Sequence, residues 1–152
     1  MANTQAMCTS FMRELMTATH NFTTGTGNTF KAALYLASAT VNASTTAYSS
    51  TGEVTGTGYT PGGVTVTNGT SPLSTNTSTT AGTAYWTPSA SITYTGVTLT
   101  TAFDAVLIYN SSASDRAVSV HTFGSQTITA GTFTLTMPSN TTSTALIRLA
   151  TT

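Results

Sequence analysis

Hydroxyl groups, rather than charges, solvate this chain: only four Lys or Arg and four Asp or Glu residues occur among its 152. Charged residues make up 5% of the sequence, against about 25% in an average soluble domain. Threonine and serine fill the places that lysine and glutamate usually hold. Because threonine carries a β-branched carbon that fits a pleated strand, this composition favours a β-rich fold.

Residues 4–20 differ from the rest of the chain and predict a helix. Their apolar side chains recur at helical spacing and form one stripe, with Asn3 or Thr4 as the expected N-terminal cap. We expect this stripe to cover the core of its own domain; the alternative is that its methionines dock on a partner. The members of the stripe are Met7, Cys8, Phe11, Met12, Leu15 and Met16.

Residues 29–150 read as closely spaced short strands separated by turn residues. The predicted strands lie at 30–36, 64–67, 84–86, 92–94, 97–99, 104–109, 116–123, 131–137 and 145–149. Turns are expected at 61–63, 110–115 and 124–130, and an exposed loop at 68–82. This pattern predicts a mainly β fold in a single domain over residues 1–152: an antiparallel β-sandwich or jelly roll of about eight strands with one N-terminal α-helix.

The run at 104–109 lacks alternation, which predicts a strand buried on both faces. The side chains expected in the core are Phe30, Leu34, Leu36, Leu107, Phe133, Leu135, Ile147 and Leu149.

Charge and cysteine content narrow the possible partners. The formal net charge is zero, so no basic face is expected to meet the phosphates of a nucleic acid. No apolar run approaches the roughly 20 residues of a membrane span, and the first residues lack the features of a signal peptide. The single cysteine, Cys8, cannot form an internal disulfide, so we expect synthesis in a reducing cytoplasm.

Residues able to carry catalysis or bind metal are few. His121 with a serine and Asp104 or Asp115 would make a triad, but a structural or surface histidine is the favoured interpretation. The remaining acids are scattered, and Asp115 is expected to pair with its neighbour Arg116. No short-spaced ligand set is present. We therefore expect no enzyme activity, no cofactor and no catalytic or metal-binding residue.

Aromatic side chains are the remaining candidates for a binding site. Trp86, Tyr85, Tyr94 and Tyr59 could contact a partner or stack on a sugar ring. The favoured alternative is that Trp86 and Tyr94 are anchors in the core or between subunits, where aromatic residues are enriched.

Five segments, taken in order, resemble small structural proteins of tailed bacteriophages. They are 29–48, the Glu-Val-x-Gly-x-Gly-Tyr-x-x-Gly-Gly stretch at 53–63, 105–112, 115–118 and the Phe-Gly-Ser at 123–125. The resemblance covers most of the chain. The proteins it resembles also begin with a short helix, like the one predicted here at 4–20.

The resemblance implies a virion component without catalytic residues, assembled in the host cytoplasm. The expected function is that of a capsid decoration (cement) protein that binds the major capsid protein and itself, as a dimer or trimer. The alternative is a tail or fibre component, with a glycan as a possible ligand for host attachment.

Overall fold

The computed structural model describes residues 2–151 and confirms a mainly β fold, with 42% of residues in strands and 5% in helix. Two antiparallel sheets and one short helix near the N-terminus form a β-sandwich. The elements are β1 (Ala6–Met7), α1 (Thr9–Met16), β2 (Phe30–Leu36), β3 (Val64–Thr65), β4 (Leu73–Ser74), β5 (Thr83–Trp86), β6 (Ile92–Asn110), β7 (Arg116–Leu135) and β8 (Ile147–Ala150).

The larger sheet has the strand order β1-β7-β6-β2-β3 and is built on the long β6–β7 hairpin. Its turn lies within the predicted 110–115 region, where Ser114 and Asp115 adopt positive φ angles of 52° and 55°. The predicted strands at 92–94, 97–99 and 104–109 are one continuous strand, and those at 116–123 and 131–137 belong to another. The prediction of separate strands was therefore wrong, and so was the prediction of a turn at 124–130. Each of these segments has a partner in the hairpin, and register shifts between β6 and β7 absorb the irregular residues without ending either strand.

The centre of the larger sheet is covered on both faces, as the run at 104–109 predicted. Residues 105–110 are all buried, and Leu107 is fully so. β2 pairs with this segment over its full length and is itself buried at Phe30 and at 32–35. The turn at 61–63 lets the chain return along β2: Gly63 has φ +72°, and a Cβ there would overlap the Ala32 carbonyl oxygen.

The smaller sheet has the order β4-β5-β8 and joins the larger one through aromatic rings. Phe22 stacks on Phe30 with ring centroids 4.3 Å apart and contacts Trp86 at 4.6 Å. This contact places the core between the two sheets. Predicted loop 68–82 contributes β4 and is otherwise mostly exposed.

The predicted helix at 4–20 is shorter than expected. Residues 6 and 7 pair with β7 as β1, so the helix begins only at Thr9, after Cys8 at the N-cap position. It ends at Met16, and Ala18 turns the chain away with φ 54°. The prediction of helix at residues 6 and 7 was thus wrong. The edge of β7 supplies hydrogen-bond partners for their backbone, whereas the first N–H groups of a helix have none within the helix.

The stripe itself is only partly buried. Phe11 and Glu14, three residues apart, face the core, whereas Met12 and Met16 are 47% and 81% exposed. Among the predicted core residues, Leu149 is 53% exposed, and Leu36 and Leu135 are half-buried. No helix within residues 2–151 is long and apolar enough to cross a membrane.

Candidate functional site

An open apolar groove lies between the inner face of the smaller sheet and the chain that leaves α1. Its volume is about 450 Å³. Strand alternation directs Ala84, Trp86, Ile147 and Leu149 to one face of β5 and β8. The opposite wall comes from Leu15, Ala18, His20 and Phe22, and Pro72, Tyr85, Asn21 and Thr23 complete the lining. The exposed side chain of Leu149 lies at this groove.

Trp86 lies between the groove and the core. Its side chain is only 2% exposed, and its Nε1–H donates to the Asn68 side-chain oxygen at 3.1 Å and the Thr70 carbonyl at 2.9 Å. A buried indole normally finds such acceptors. Trp86 is therefore a core anchor that joins the two sheets and presents little ring surface to a ligand.

The other three predicted contact residues separate into two groups. Tyr94 and Tyr59 are buried, and their rings stack with centroids 5.9 Å apart. The Tyr94 hydroxyl donates to the Ala32 carbonyl at 2.7 Å and the Tyr59 hydroxyl accepts from the Leu34 N–H, so both tyrosines secure β2. Tyr85 alone is half-buried and lines the groove.

A buried carboxylate, Glu53, organises a second cluster. Its Oε1 accepts from the Tyr59 hydroxyl and the Gly62 backbone N–H, and its Oε2 accepts from the Tyr48 hydroxyl, each at 2.7 Å. Tyr59 in turn accepts the Leu34 N–H at 3.0 Å. Glu53 is 7% exposed. Three donors to one buried carboxylate fix the polar loop after β2 against the larger sheet.

The tyrosines of this cluster are donors and not proton-transfer groups. Burial raises the pKa of both Tyr48 and Tyr59, and hydrogen bonding to the Glu53 carboxylate raises it further. The phenols therefore stay protonated at neutral pH and keep donating to Glu53. The sequence signal for this cluster was the stretch at 53–63, for which the sequence indicated a turn at 61–63 and a contact role for Tyr59 but not the buried role of Glu53.

A third cluster forms around Glu14, which sits on the buried side of α1. Arg116 donates from Nη1 to Oε1 at 2.6 Å, and His20 Nε2 lies 2.8 Å from Oε2. The Asn110 amide N–H lies 3.0 Å from His20 Nδ1. Because an amide nitrogen only donates, Nδ1 accepts and Nε2 carries the proton given to Glu14.

Arg116 was thus assigned the wrong partner from the sequence, since it reaches Glu14 across the fold and not Asp115 beside it. Burial alone would raise the pKa of Glu14, but the hydrogen bonds from His20 and Arg116 and the charge of Arg116 outweigh it. The net pKa lies below the ordinary value, and the carboxylate is the form that the fold stabilises.

Replacing Arg116 with methionine is expected to lower the free energy of unfolding at pH 7 by about 1 to 3 kcal/mol. The reason is that the Glu14 carboxylate, 4% exposed, loses its charged donor. The folded pKa of Glu14 is depressed, so this stabilisation is present above the unfolded pKa and is lost as the pH falls through the folded value. Urea unfolding of the variant and the wild type is measured at pH 7 and again below about pH 3. The difference between their free energies of unfolding should be smaller in acid.

The control is Arg13→Met. Arg13 lies 3.7 Å from the same oxygen, but its side chain is 70% exposed, so its removal should cost at most about 0.5 kcal/mol. Equal losses for the two variants, or a loss for Arg116→Met that persists in acid, would contradict this account of Glu14.

Ser119 and His121 are neighbours on one face of β7, with Oγ and Nε2 2.9 Å apart. Burial lowers the pKa of His121 to about 4, which makes it a weak base, and Ser119 is buried. Within residues 2–151, no carboxylate is hydrogen-bonded to the other ring nitrogen of His121. The structure thus brings together two members of the imagined triad but places neither Asp104 nor Asp115 on His121.

No group of three or more His, Cys, Asp or Glu side chains that could hold a metal ion occurs in the described part of the chain. Comparison of the chain with family models, with curated proteins and with solved structures gives no significant match. The interpretation of function therefore depends on the surface and the clusters described above.

Proposed function

We propose that this protein is a structural component of a tailed-phage virion, a capsid decoration (cement) protein that binds the major capsid protein and stabilises the shell. The observation that supports it most is how few charges reach the surface. Of the eight charged residues, all within the described chain, Arg13, Asp115 and Arg148 are exposed, Lys31, Asp104 and Arg116 are partly exposed, and Glu14 and Glu53 are buried. Such a surface exerts little electrostatic repulsion on neighbouring molecules. This suits a protein that is packed among many copies.

The internal use of charge supports the same proposal. Glu14 and Glu53 are buried, and each is held by several hydrogen-bond donors, for Glu14 including Arg116 from far along the chain, so these carboxylates stabilise the fold. The ordered series of phage-like segments in the sequence adds to this. In the proposed mechanism, the protein adds contact area between neighbouring capsomers, and many modest contacts act together. Dimers or trimers would suit the local symmetry axes of a shell.

The test is binding of the purified protein to phage shells that lack it. We expect affinity to change less than about threefold between about 0.1 M and 1 M salt, because few exposed charges are available to be screened. We also expect the decorated shells to retain DNA at temperatures at which bare shells release it. A loss of affinity above about tenfold with salt, or equal DNA retention by bare and decorated shells, would contradict the proposal.

The second candidate is a tail or fibre component that binds a glycan. It is favoured by the groove, whose apolar lining and volume of about 450 Å³ fall in the range of small-molecule sites, and by Tyr85, the one predicted stacking residue that is accessible there. Glycan-array binding that is lost in Tyr85→Ala would support it. Labelled copies confined to one vertex of the particle would also favour the tail, whereas copies spread over the shell favour decoration.

A further inference from the structure

In the described part of the chain, most of the outer edge of β7 has no partner strand. β1 covers this edge only at Ser119 and Val120, and loop residues reach it near the turn. Within residues 2–151, only β6 pairs with residues 121–135. The backbone N–H and C=O groups on the other side of this segment are therefore open to pairing.

The outermost strands at the other edges are protected in ways that this segment is not, and a loop bridge from Thr57 to Thr98 crosses the part of β6 that β2 leaves unpaired. β1, β3 and β4 are each two residues long, and β8 carries Arg148. Short strands and charged side chains are the usual devices that prevent edge-to-edge association. Residues 121–135 contain no Asp, Glu, Lys, Arg or Pro, so the longest free edge is also the least protected.

Irregularities limit where another strand can pair. Register shifts interrupt the β6–β7 ladder between Tyr94 and Ala105, and Ala130 has φ 47°. In contrast, residues 133–135 pair with 92–94 in regular register. In the segment 131–135, Thr132 and Thr134 are exposed and Phe133 between them is buried. The end of β7 therefore alternates as a half-buried strand should.

We propose that residues 131–135 pair antiparallel with the same residues of a second copy of this chain, across a two-fold axis. An antiparallel strand paired with itself is self-complementary, since each copy supplies the donors and acceptors that the other lacks. A charged edge would repel its own copy, and this one carries no charge. Because the pairing uses the same segment of both copies, the association closes at a dimer and does not grow into a filament.

This inference deepens the proposed function by naming the self-contact, and it rests on that function only for the place of the dimer on a shell. The self-association itself belongs to the isolated protein and is measured there.

The experiment compares two double variants by sedimentation equilibrium. Thr132→Lys with Thr134→Lys puts two charges on the proposed contact. Thr93→Lys with Thr95→Lys puts two charges at exposed positions of the neighbouring strand, of which Thr93 lies opposite Thr134. Both variants raise the net charge equally, so general repulsion is matched. We expect the wild type and the β6 variant to be dimers and the β7 variant to be a monomer with an unchanged circular dichroism spectrum.

Hydrogen exchange on the wild type gives an independent measurement, and it decides alone if the β7 variant fails to fold. Protection of amides in 131–135 should rise with protein concentration. A wild type that stays monomeric at its highest soluble concentration would overturn the proposal. So would a β7 variant that dimerises as well as the wild type, or an edge that becomes protected only when shells are added. A dimer through this edge that binds no shell would instead refute the proposed function alone.

Discussion

Replacement of Glu53 by glutamine is expected to lower the free energy of unfolding by about 3 kcal/mol, although the side chain keeps its shape. The carboxylate accepts three hydrogen bonds at 2.7 Å, and bonds to a charged group contribute about 1.5 to 3 kcal/mol each. A glutamine has no charge and only one acceptor oxygen, so one donating group loses its acceptor or a tyrosine hydroxyl must turn to accept from the amide. The measurement is urea unfolding at pH 7, followed by circular dichroism.

Tyr48→Phe is the matched control, because it removes one of the three donors and leaves the carboxylate in place. It should cost about 1 kcal/mol. Since both changes act on one network, the double variant should lose less than the sum of the single losses. Strict additivity, or a loss below about 1 kcal/mol for Glu53→Gln, would show that the cluster does not hold the loop.

Replacement of Trp86 by alanine is expected to cost about 3 to 5 kcal/mol, the range found when a large aromatic side chain is removed from a core. Trp86 contacts Phe22 and Phe30 and bonds to the segment before β4, so its loss also frees the smaller sheet. We expect amides of β5 and β8 to exchange faster than those of β6 in the variant. Circular dichroism must report unfolding, since this is the only tryptophan.

Tyr85→Ala serves as the control on the same strand. Its side chain is half-buried and lines the groove, so we expect a loss of about 1 kcal/mol or less. If the two alanine variants lost equal stability, Trp86 would not be the anchor between the sheets.

The two clusters explain why so few charges suffice in this fold. Glu53 fixes the polar loop that covers one part of the larger sheet, and Glu14 fixes α1 to the turn of the β6–β7 hairpin through Arg116. The Glu14 bond joins segments about a hundred residues apart, whereas the donors to Glu53 come from within nine residues of it. The threonine-rich strands supply little specific bonding of this kind, so the few ionised groups are placed where they define the arrangement.

Much of the fold was predictable because strand formation depends on local pattern. The bounds of β2 and the position of the hairpin turn follow from runs of apolar residues and from turn residues. The segments at 92–94, 97–99 and 124–130 were harder, because glycine and threonine interrupt the pattern while a paired neighbour keeps the chain extended. The candidate site was predictable only at Tyr85 and Trp86.

The sequence by itself determined that this chain is β-rich, nearly uncharged and able to bury the strand at 104–109 on both faces, because these properties depend on residue type and short-range spacing. The tertiary structure alone decided that Arg116 meets Glu14, that three donors converge on Glu53, that residues 6 and 7 leave the helix for a strand, and that one edge of β7 stays open. The Arg116–Glu14 pair, the strand at residues 6 and 7 and the open edge depend on which distant backbone comes close in space, and the Glu53 cluster depends on how its loop folds back on itself. No short-range pattern of residue types encodes either arrangement.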